Sequence, residues 1–262
     1  MNAPDRIPFD VQSSADERGL RIDAVGITGL RYPVSVWVDG EPQPTIATFT
    51  MTVALAAAER GTHMSRFVEL LEAQAGAWNA ARLKTLTLGM LERLGATSGA
   101  IELRFPLFLR KRAPVSGTQS LLDYEACWRS SVDMGGRYSL WTTVAVPATS
   151  LCPCSREISE YGAHNQRSII TLRAETLDGF PFEEMIAIAE RSASCELYGL
   201  LKRPDEKHVT ERAYDNPKFV EDLVRDVALA LEREPRVQRY SVEAENFESI
   251  HNHSAYARIH RA

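Results

Sequence analysis

The chain has 262 residues, 44% of them hydrophobic and 25% charged, with a net charge of −5. This is the composition of a globular protein with a buried core, in one large domain or two modest ones, and the acidic balance excludes a general affinity for nucleic acid or for an acidic membrane surface. Cys127, Cys152, Cys154 and Cys195 are too few for a disulfide scaffold, no apolar run reaches the roughly 20 residues of a membrane helix, and the first residues lack a signal-peptide pattern, so a cytoplasmic protein with reduced thiols is expected.

Residues 1–20 are polar, without apolar periodicity, and are expected to form a mobile arm or an edge segment. From about Leu20 to Leu55 the pattern is strand-like on both sides of Asp39-Gly40, a hairpin signal. Phe67, Leu70, Leu71 and Trp78 share a helical face and predict a helix from Ser65 to Trp78; a second is predicted from Ala80 to Leu94. Ile101–Phe108 and Leu121–Val132 read as strands, completing the order ββααββ. The second half echoes it. Tyr138–Val146 and Arg167–Ala174 are expected strands, with a loop rich in cysteine between them. Helices are expected over Phe182–Leu197 and over Pro217–Arg233, the latter with Pro217 in its first turn. Val237–Glu245 and Ser254–His260 are the last expected strands. The chain thus divides into the arm, a module over 21–135 and a second module over 136–262 that carries most candidate site residues. An α+β fold follows, with antiparallel sheets and helices on one face. Open sheet edges must be covered or paired, so an oligomer is expected.

The densest chemistry lies in Leu151–Arg167, which gathers two thiols, an imidazole, carboxylates and guanidinium groups. Pro153 stiffens the turn between Cys152 and Cys154, and Gly162 allows a bend before His164. A site with one Cys, one His and one carboxylate leaves a position for water, the arrangement of a catalytic zinc. The competing reading of either thiol alone is a small buried hydrophobe. Glu206 and His208 fall in a polar stretch that reads as a solvated loop between helices, and Glu221 reads as a carboxylate complementing a helix dipole. In Val242–His253, a regular strand would put Glu243, Glu245, His251 and His253 on one face and Glu248 on the other. A break near Asn246–Ser249 would instead bring Glu248 and His251 together. His63, Ser65 and Arg66 at a helix start, and Arg110-Lys111-Arg112 at a strand end, together suit a triphosphate cradle.

Five stretches together resemble GTP cyclohydrolase I of the type IB form: Gly61-Thr-His-Met-Ser-Arg-Phe67, Lys111-Arg-Ala-Pro-Val-Ser116, Cys152-Pro-Cys-Ser-Arg-Glu-Ile-Ser159, Gly162-Ala-His-Asn-Gln-Arg167 and Glu245-Asn-Phe-Glu-Ser-Ile-His-Asn-His253. The resemblance implies a bimodular tunnelling fold that closes into barrels on oligomerisation, as a homotetramer with active sites between subunits. It implies the reaction of GTP and water to formate and 7,8-dihydroneopterin triphosphate, the first step towards folate-type pterins. It further implies Cys152, His164 and Glu206 as ligands of a divalent metal (Zn2+, Mn2+ or Fe2+). Cys154, Glu248 and His251 would be catalytic residues beside it, and Glu221 the anchor of the guanine ring. His63, Arg66 and Lys111 would hold the triphosphate. Three rival readings are the archaeal-type enzyme giving a cyclic phosphate product, another tunnelling-fold enzyme such as a nitrile reductase, and a non-catalytic zinc-stabilised oligomer.

Overall fold

The computed structural model describes residue 12 and residues 14–262. Of the expected arm, residues 1–11 and 13 lie outside the described residues. Its remainder is tied down: Ala15 bridges Glu59, and Asp16 N–H donates to the Ala58 carbonyl at 3.0 Å.

Strands β1 (Ile22–Val38) and β2 (Glu41–Leu55) form the expected hairpin. Asp39 and Gly40 have φ of 51° and 77°, the double positive φ of a type I′ turn. Along β2, Ala47, Phe49, Met51, Val53 and Leu55 are buried in strict alternation, the period-two signature of a sheet with one covered face. Helices α1 (Met64–Glu72) and α2 (Ala80–Leu94) supply that cover. The Asn79 side chain caps α2 by accepting from Arg82 N–H at 2.9 Å.

Helix α1 stops short of Trp78, where the apolar spacing predicted its end. Trp78 is hydrogen-bonded to the edge of β1 instead: its N–H donates to Ser35 at 2.7 Å and its carbonyl accepts from Trp37 at 2.9 Å. Its indole is buried edge-on against Phe49 at 5.5 Å. Backbone pairing and aromatic burial outweigh a helical spacing that Trp78 satisfied by coincidence.

The chain continues through β3 (Gly99–Arg112), β4 (Gln119–Val132), β5 (Tyr138–Leu151), α3 (Pro153–Ile158), β6 (Asn165–Thr176), α4 (Phe182–Ser192), β7 (Cys195–Glu196), α5 (Arg203–Asp215), α6 (Val220–Glu232), β8 (Arg239–Asn246) and β9 (Ala255–Arg261). All pairings are antiparallel, in the order β1-β2-β3-β4-β5-β6-β8-β9, with β7 on β5. Helices α1 and α2 pack on the first half of this sheet, and α4 and α6 on the second. Phe182 of α4 meets Phe105 and Trp128 of β3 and β4, with centroids 5.7 and 5.0 Å away, so the two halves share one core. The sheet ends at β1 and β9. No helix among the described residues is long and apolar enough to cross a membrane.

Three expectations in the second half are corrected. The helix expected over Phe182–Leu197 ends at Ser192, and Cys195–Glu196 form a short strand on β5. The stretch around Glu206 and His208, read as a loop, is helix α5. Only Asp205 and Ala213 of that helix are buried, so it carries no apolar stripe to announce it. Pro217 lies before α6, whose N-cap is Phe219. Asp222 reaches back to accept from Phe219 N–H at 3.0 Å, which fixes the start of the helix beyond the proline.

Asp205 explains why α5 forms where it does. Its buried carboxylate accepts from Lys202 N–H (2.8 Å), Val115 N–H (2.8 Å), Ser116 N–H (2.8 Å) and Ser116 Oγ (2.6 Å). It caps its own helix and anchors the loop after β3 at once. Burial pushes its pKa up, but the hydrogen bonds from Ser116, Lys202 and Val115 outweigh burial and hold it well below the usual carboxylate range. A depressed folded-state pKa gives stability that is present above about pH 4, the ordinary Asp value, and is lost as pH falls towards the folded value. Asp205→Asn, which sets two amide hydrogens against a ring of donors, is expected to lower the melting temperature by several degrees at pH 7. In urea titrations from pH 7 to pH 3, the gap to the unaltered protein should narrow as pH falls; a constant gap refutes this account.

Candidate functional site

Cys152 directly follows β5 and is the N-cap of α3, its Sγ 3.5 Å from Ser155 N. His164 directly precedes β6. The last ladder pair of these strands is Leu151 with Asn165, so Cys152 and His164 are cross-strand neighbours one step beyond it. Cys152 N–H donates to the His164 carbonyl at 3.1 Å. Ser155 closes the loop between them: its Oγ donates to the Cys152 carbonyl at 3.1 Å and accepts from His164 N–H at 3.2 Å. Gly162, with φ of 106°, makes the bend that L side chains resist.

The second contribution comes from the β8–β9 connection. Phe247 N–H donates to the Arg167 carbonyl at 2.9 Å, and the chain then leaves the sheet. This break overturns the regular-strand alternative for Glu243, Glu245, His251 and His253. Glu248 turns instead towards β6, where Gln166 Nε2 donates to its Oε1 at 3.3 Å. The same Gln166 presents Oε1 to His164 Nδ1 at 3.1 Å, and Ser249 Oγ lies 3.2 Å from that nitrogen. His251 stacks on His253 with centroids 5.0 Å apart, both exposed.

The structure therefore places Cys152 beside His164 across the end of the β5–β6 ladder, and links His164 to Glu248 through the Gln166 amide. Cys154 stands one residue on from Pro153, exposed, in the first turn of α3. Glu206 is exposed near the start of α5, and among the described residues no group of three or more His, Cys, Asp and Glu is arranged to hold a metal ion. Thiolate and neutral imidazole are the donor types a borderline-soft divalent ion prefers. Cys152 and His164 thus fit such an ion as two donors, and a third is not assembled within the described part of one chain.

Glu221 is exposed in the first turn of α6 and takes no part in the cap, which Asp222 makes. His63 is the N-cap of α1, and Arg66 is half-buried in its first turn. Lys111 ion-pairs with Glu190 of α4 at 2.5 Å, beneath the Tyr198 ring. Tyr124 also donates to Glu190, at 3.0 Å. The other two thiols are structural. Burial and the nearby Glu102 push Cys127 up to about 11; burial and Glu196 do the same for Cys195. Both are buried and stay protonated at neutral pH, which disfavours the thiolate form that attacks as a nucleophile.

Sequence reasoning gave no role to Ser155, Gln166, Ser249 or Asp205. Gln166 had one available signal: it lies two residues from His164 at the start of a strand, hence on the same face. Beneath it, Ser168 Oγ is 2.8 Å from Ser150 Oγ and 2.6 Å from Asn246 Oδ1, a buried polar row across β5, β6 and β8.

The site lies open on the surface of the single chain. A cavity of about 620 Å³, lined by Tyr32, Trp37 and Trp78 along β1, contains none of its residues.

In fold, the chain is similar to uricase from Arthrobacter globiformis, with a TM-score of 0.51 at 8% identity, over 91% of this chain and 93% of that one. A hyper-thermostable mutant of AgUricase gives the same TM-score of 0.51 at 10% identity, over 92% of each chain. This likeness supports the expected α+β architecture. In sequence, the chain is 56% identical to GTP cyclohydrolase FolE2 1 of Dechloromonas aromatica, over 99% of this chain and 98% of that one. It is 56% identical to GTP cyclohydrolase FolE2 of Paraburkholderia phymatum, over 95% and 93%. The Burkholderia pseudomallei protein of that name is 55% identical, over 100% and 98%. The family model described as type I GTP cyclohydrolase folE2 matches residues 9–257, which takes in all five motifs and every residue of the site. The chain belongs to the type I GTP cyclohydrolase folE2 family.

Proposed function

We propose that the protein is a metal-dependent GTP cyclohydrolase I, converting GTP and water to formate and 7,8-dihydroneopterin triphosphate in the biosynthesis of folate-type pterins. The observation that carries this reading is the pairing of Cys152 with His164 across a strand end, joined to Glu248 through Gln166, in a chain that matches the family over nearly its whole length. The comparisons favour neither the nitrile-reductase reading nor that of a non-catalytic zinc-stabilised oligomer.

Cys152 and His164 would hold the divalent ion (Zn2+, Mn2+ or Fe2+), with Glu206 as third donor. Such an ion supplies Lewis acidity and brings the pKa of bound water towards about 7. Glu221 would anchor guanine. The ring presents its N1–H and exocyclic amine as parallel donors, which an exposed carboxylate accepts in bidentate fashion. His251 protonates the imidazole ring of the base at N7 as it opens, and Glu248 takes up the proton released by the attacking water. Cys154, exposed in the first turn of α3, would be a second thiol beside the site. His63, Arg66 and Lys111 hold the triphosphate. Glu190 already neutralises part of the Lys111 charge, which reduces its share.

The working unit in this reading is a cytoplasmic homotetramer with active sites between subunits. Ile158, Tyr161 and Ile250, 83%, 98% and 63% exposed, flank the site in sequence. Exposed apolar groups of this kind mark interaction surfaces, and a neighbouring subunit there would enclose a site that one chain leaves open.

The decisive experiment follows formate and, after oxidation, pterin fluorescence from GTP with and without chelator. Chelator-sensitive release of both, restored by zinc, manganese or ferrous iron, is expected. No turnover with any of the three refutes the reading, and a cyclic phosphate product replaces it with the archaeal-type reaction.

A further inference from the structure

A buried amide stands between two of the proposed site residues, and its geometry leaves it little freedom. Gln166 is 8% exposed and sits in β6 opposite Ser150 of β5, so its backbone is fixed by the ladder. Its two polar ends face different partners: Oε1 is 3.1 Å from His164 Nδ1, and Nε2 is 3.3 Å from Glu248 Oε1. The polar row below does not compete for it, since Ser150, Ser168 and Asn246 bond to one another.

We propose that Gln166 is a positioning residue: its amide holds His164 in the Nδ1–H tautomer, so that Nε2 offers its lone pair to a divalent cation, and it holds Glu248 at the same site. The inference rests on the reading of Cys152 and His164 as cation donors. The steps are those of donor and acceptor matching. A carboxylate only accepts, so the amide must turn its NH2 towards Glu248. The amide oxygen then faces His164, and an amide oxygen also only accepts. His164 Nδ1 must therefore donate, which leaves Nε2 unprotonated. Ser249 Oγ, 3.2 Å from Nδ1, does not decide the matter, because a hydroxyl both donates and accepts. Flipping the amide would oppose Oε1 to the carboxylate without a proton between them. It would also turn Nδ1 into an acceptor and put the proton on Nε2, where a cation needs a lone pair. One side chain thus orients the imidazole and the carboxylate together, an outer partner of the kind that tunes metal sites.

The test starts with the unaltered, metal-free protein. Imidazole ¹⁵N shifts at pH 8, with the His164 signals assigned by their loss in His164→Ala, should show a protonated Nδ1 and a bare Nε2. Gln166→Met keeps the side-chain length and removes both amide functions. It is expected to return His164 to the Nε2–H form that free imidazoles favour, and to weaken Zn2+ or Mn2+ binding, measured by calorimetry, about 10–100-fold. An Nε2–H tautomer in the unaltered protein overturns the proposal, and this holds even if the variant fails to fold. So does a folded Gln166→Met protein with unchanged tautomer and cation affinity. The two readings fail separately. A tautomer that shifts as expected in a protein without GTP turnover keeps the role of Gln166 in orienting His164 and removes the cyclohydrolase reading. An unshifted tautomer in an active enzyme removes the role of Gln166 alone.

Discussion

Cys152→Ala is expected to lower GTP turnover by about three orders of magnitude and to abolish tight binding of a divalent ion. An ion acting as Lewis acid contributes several kcal/mol to transition-state stabilisation, and each 1.36 kcal/mol is about a factor of ten in rate. The substitution leaves the loop standing, because its closure uses backbone and Ser155: the Cys152 N–H to His164 bond at 3.1 Å and the two bonds of Ser155 Oγ survive it. Only the weak cap from Ser155 N–H to Sγ is lost, worth at most about 1 kcal/mol. Metal content, turnover and melting temperature on one sample test this. Retained metal with undiminished turnover removes Cys152 from the site. Cys154→Ala makes the informative comparison: Cys154 is exposed in the first turn of α3, whereas Cys152 is half-buried at the end of β5 opposite His164, so a much smaller loss is expected there.

Glu248→Gln should lower kcat about 10²–10⁴-fold, the contribution of a positioned proton-transfer group, while cation affinity stays near that of the unaltered protein. Glutamine keeps the size of the side chain and can turn its own oxygen towards Gln166 Nε2, so the hydrogen bond at 3.3 Å is preserved in kind. What it loses is the ability to take up a proton. A fall in kcat with unchanged metal content assigns Glu248 to proton transfer, and a parallel loss of metal assigns it to ligation. Unchanged kcat excludes it from the chemistry.

Much of the fold was legible from local pattern. The β1–β2 hairpin followed from Asp39-Gly40, because few residue pairs accept two successive positive φ values. Most strand boundaries followed from alternation, because one face of the sheet is covered and the other is not. Helix α5 was illegible for the converse reason: its residues are almost all solvated, and it is held by the Asp205 carboxylate, which binds a loop 89 residues away. Trp78 misled because a helical spacing of apolar residues arises equally when the last one is buried in another way. Tertiary hydrogen bonds to β1 decided between the two.

The site divides along the same line. Sequence alone determined which groups carry chemistry: the thiols and imidazole of Cys152–His164, concentrated in one short segment, and the acidic and imidazole groups around Glu248. The turn and the bend of that segment were also local, set by Pro153 and Gly162, whereas its closure by Ser155 was seen only in the structure. Which of these groups meet was decided only in three dimensions. Gln166 and Glu248 are 82 residues apart and touch because β6 and β8 are sheet neighbours, although three helices and a short strand separate them along the chain. Strand order depends on how helices α4 and α6 pack on one face, and no local periodicity encodes it. Likewise, the ion pair of Lys111 with Glu190 joins β3 to α4, a helix that packs chiefly on β5, and composition and spacing do not specify it.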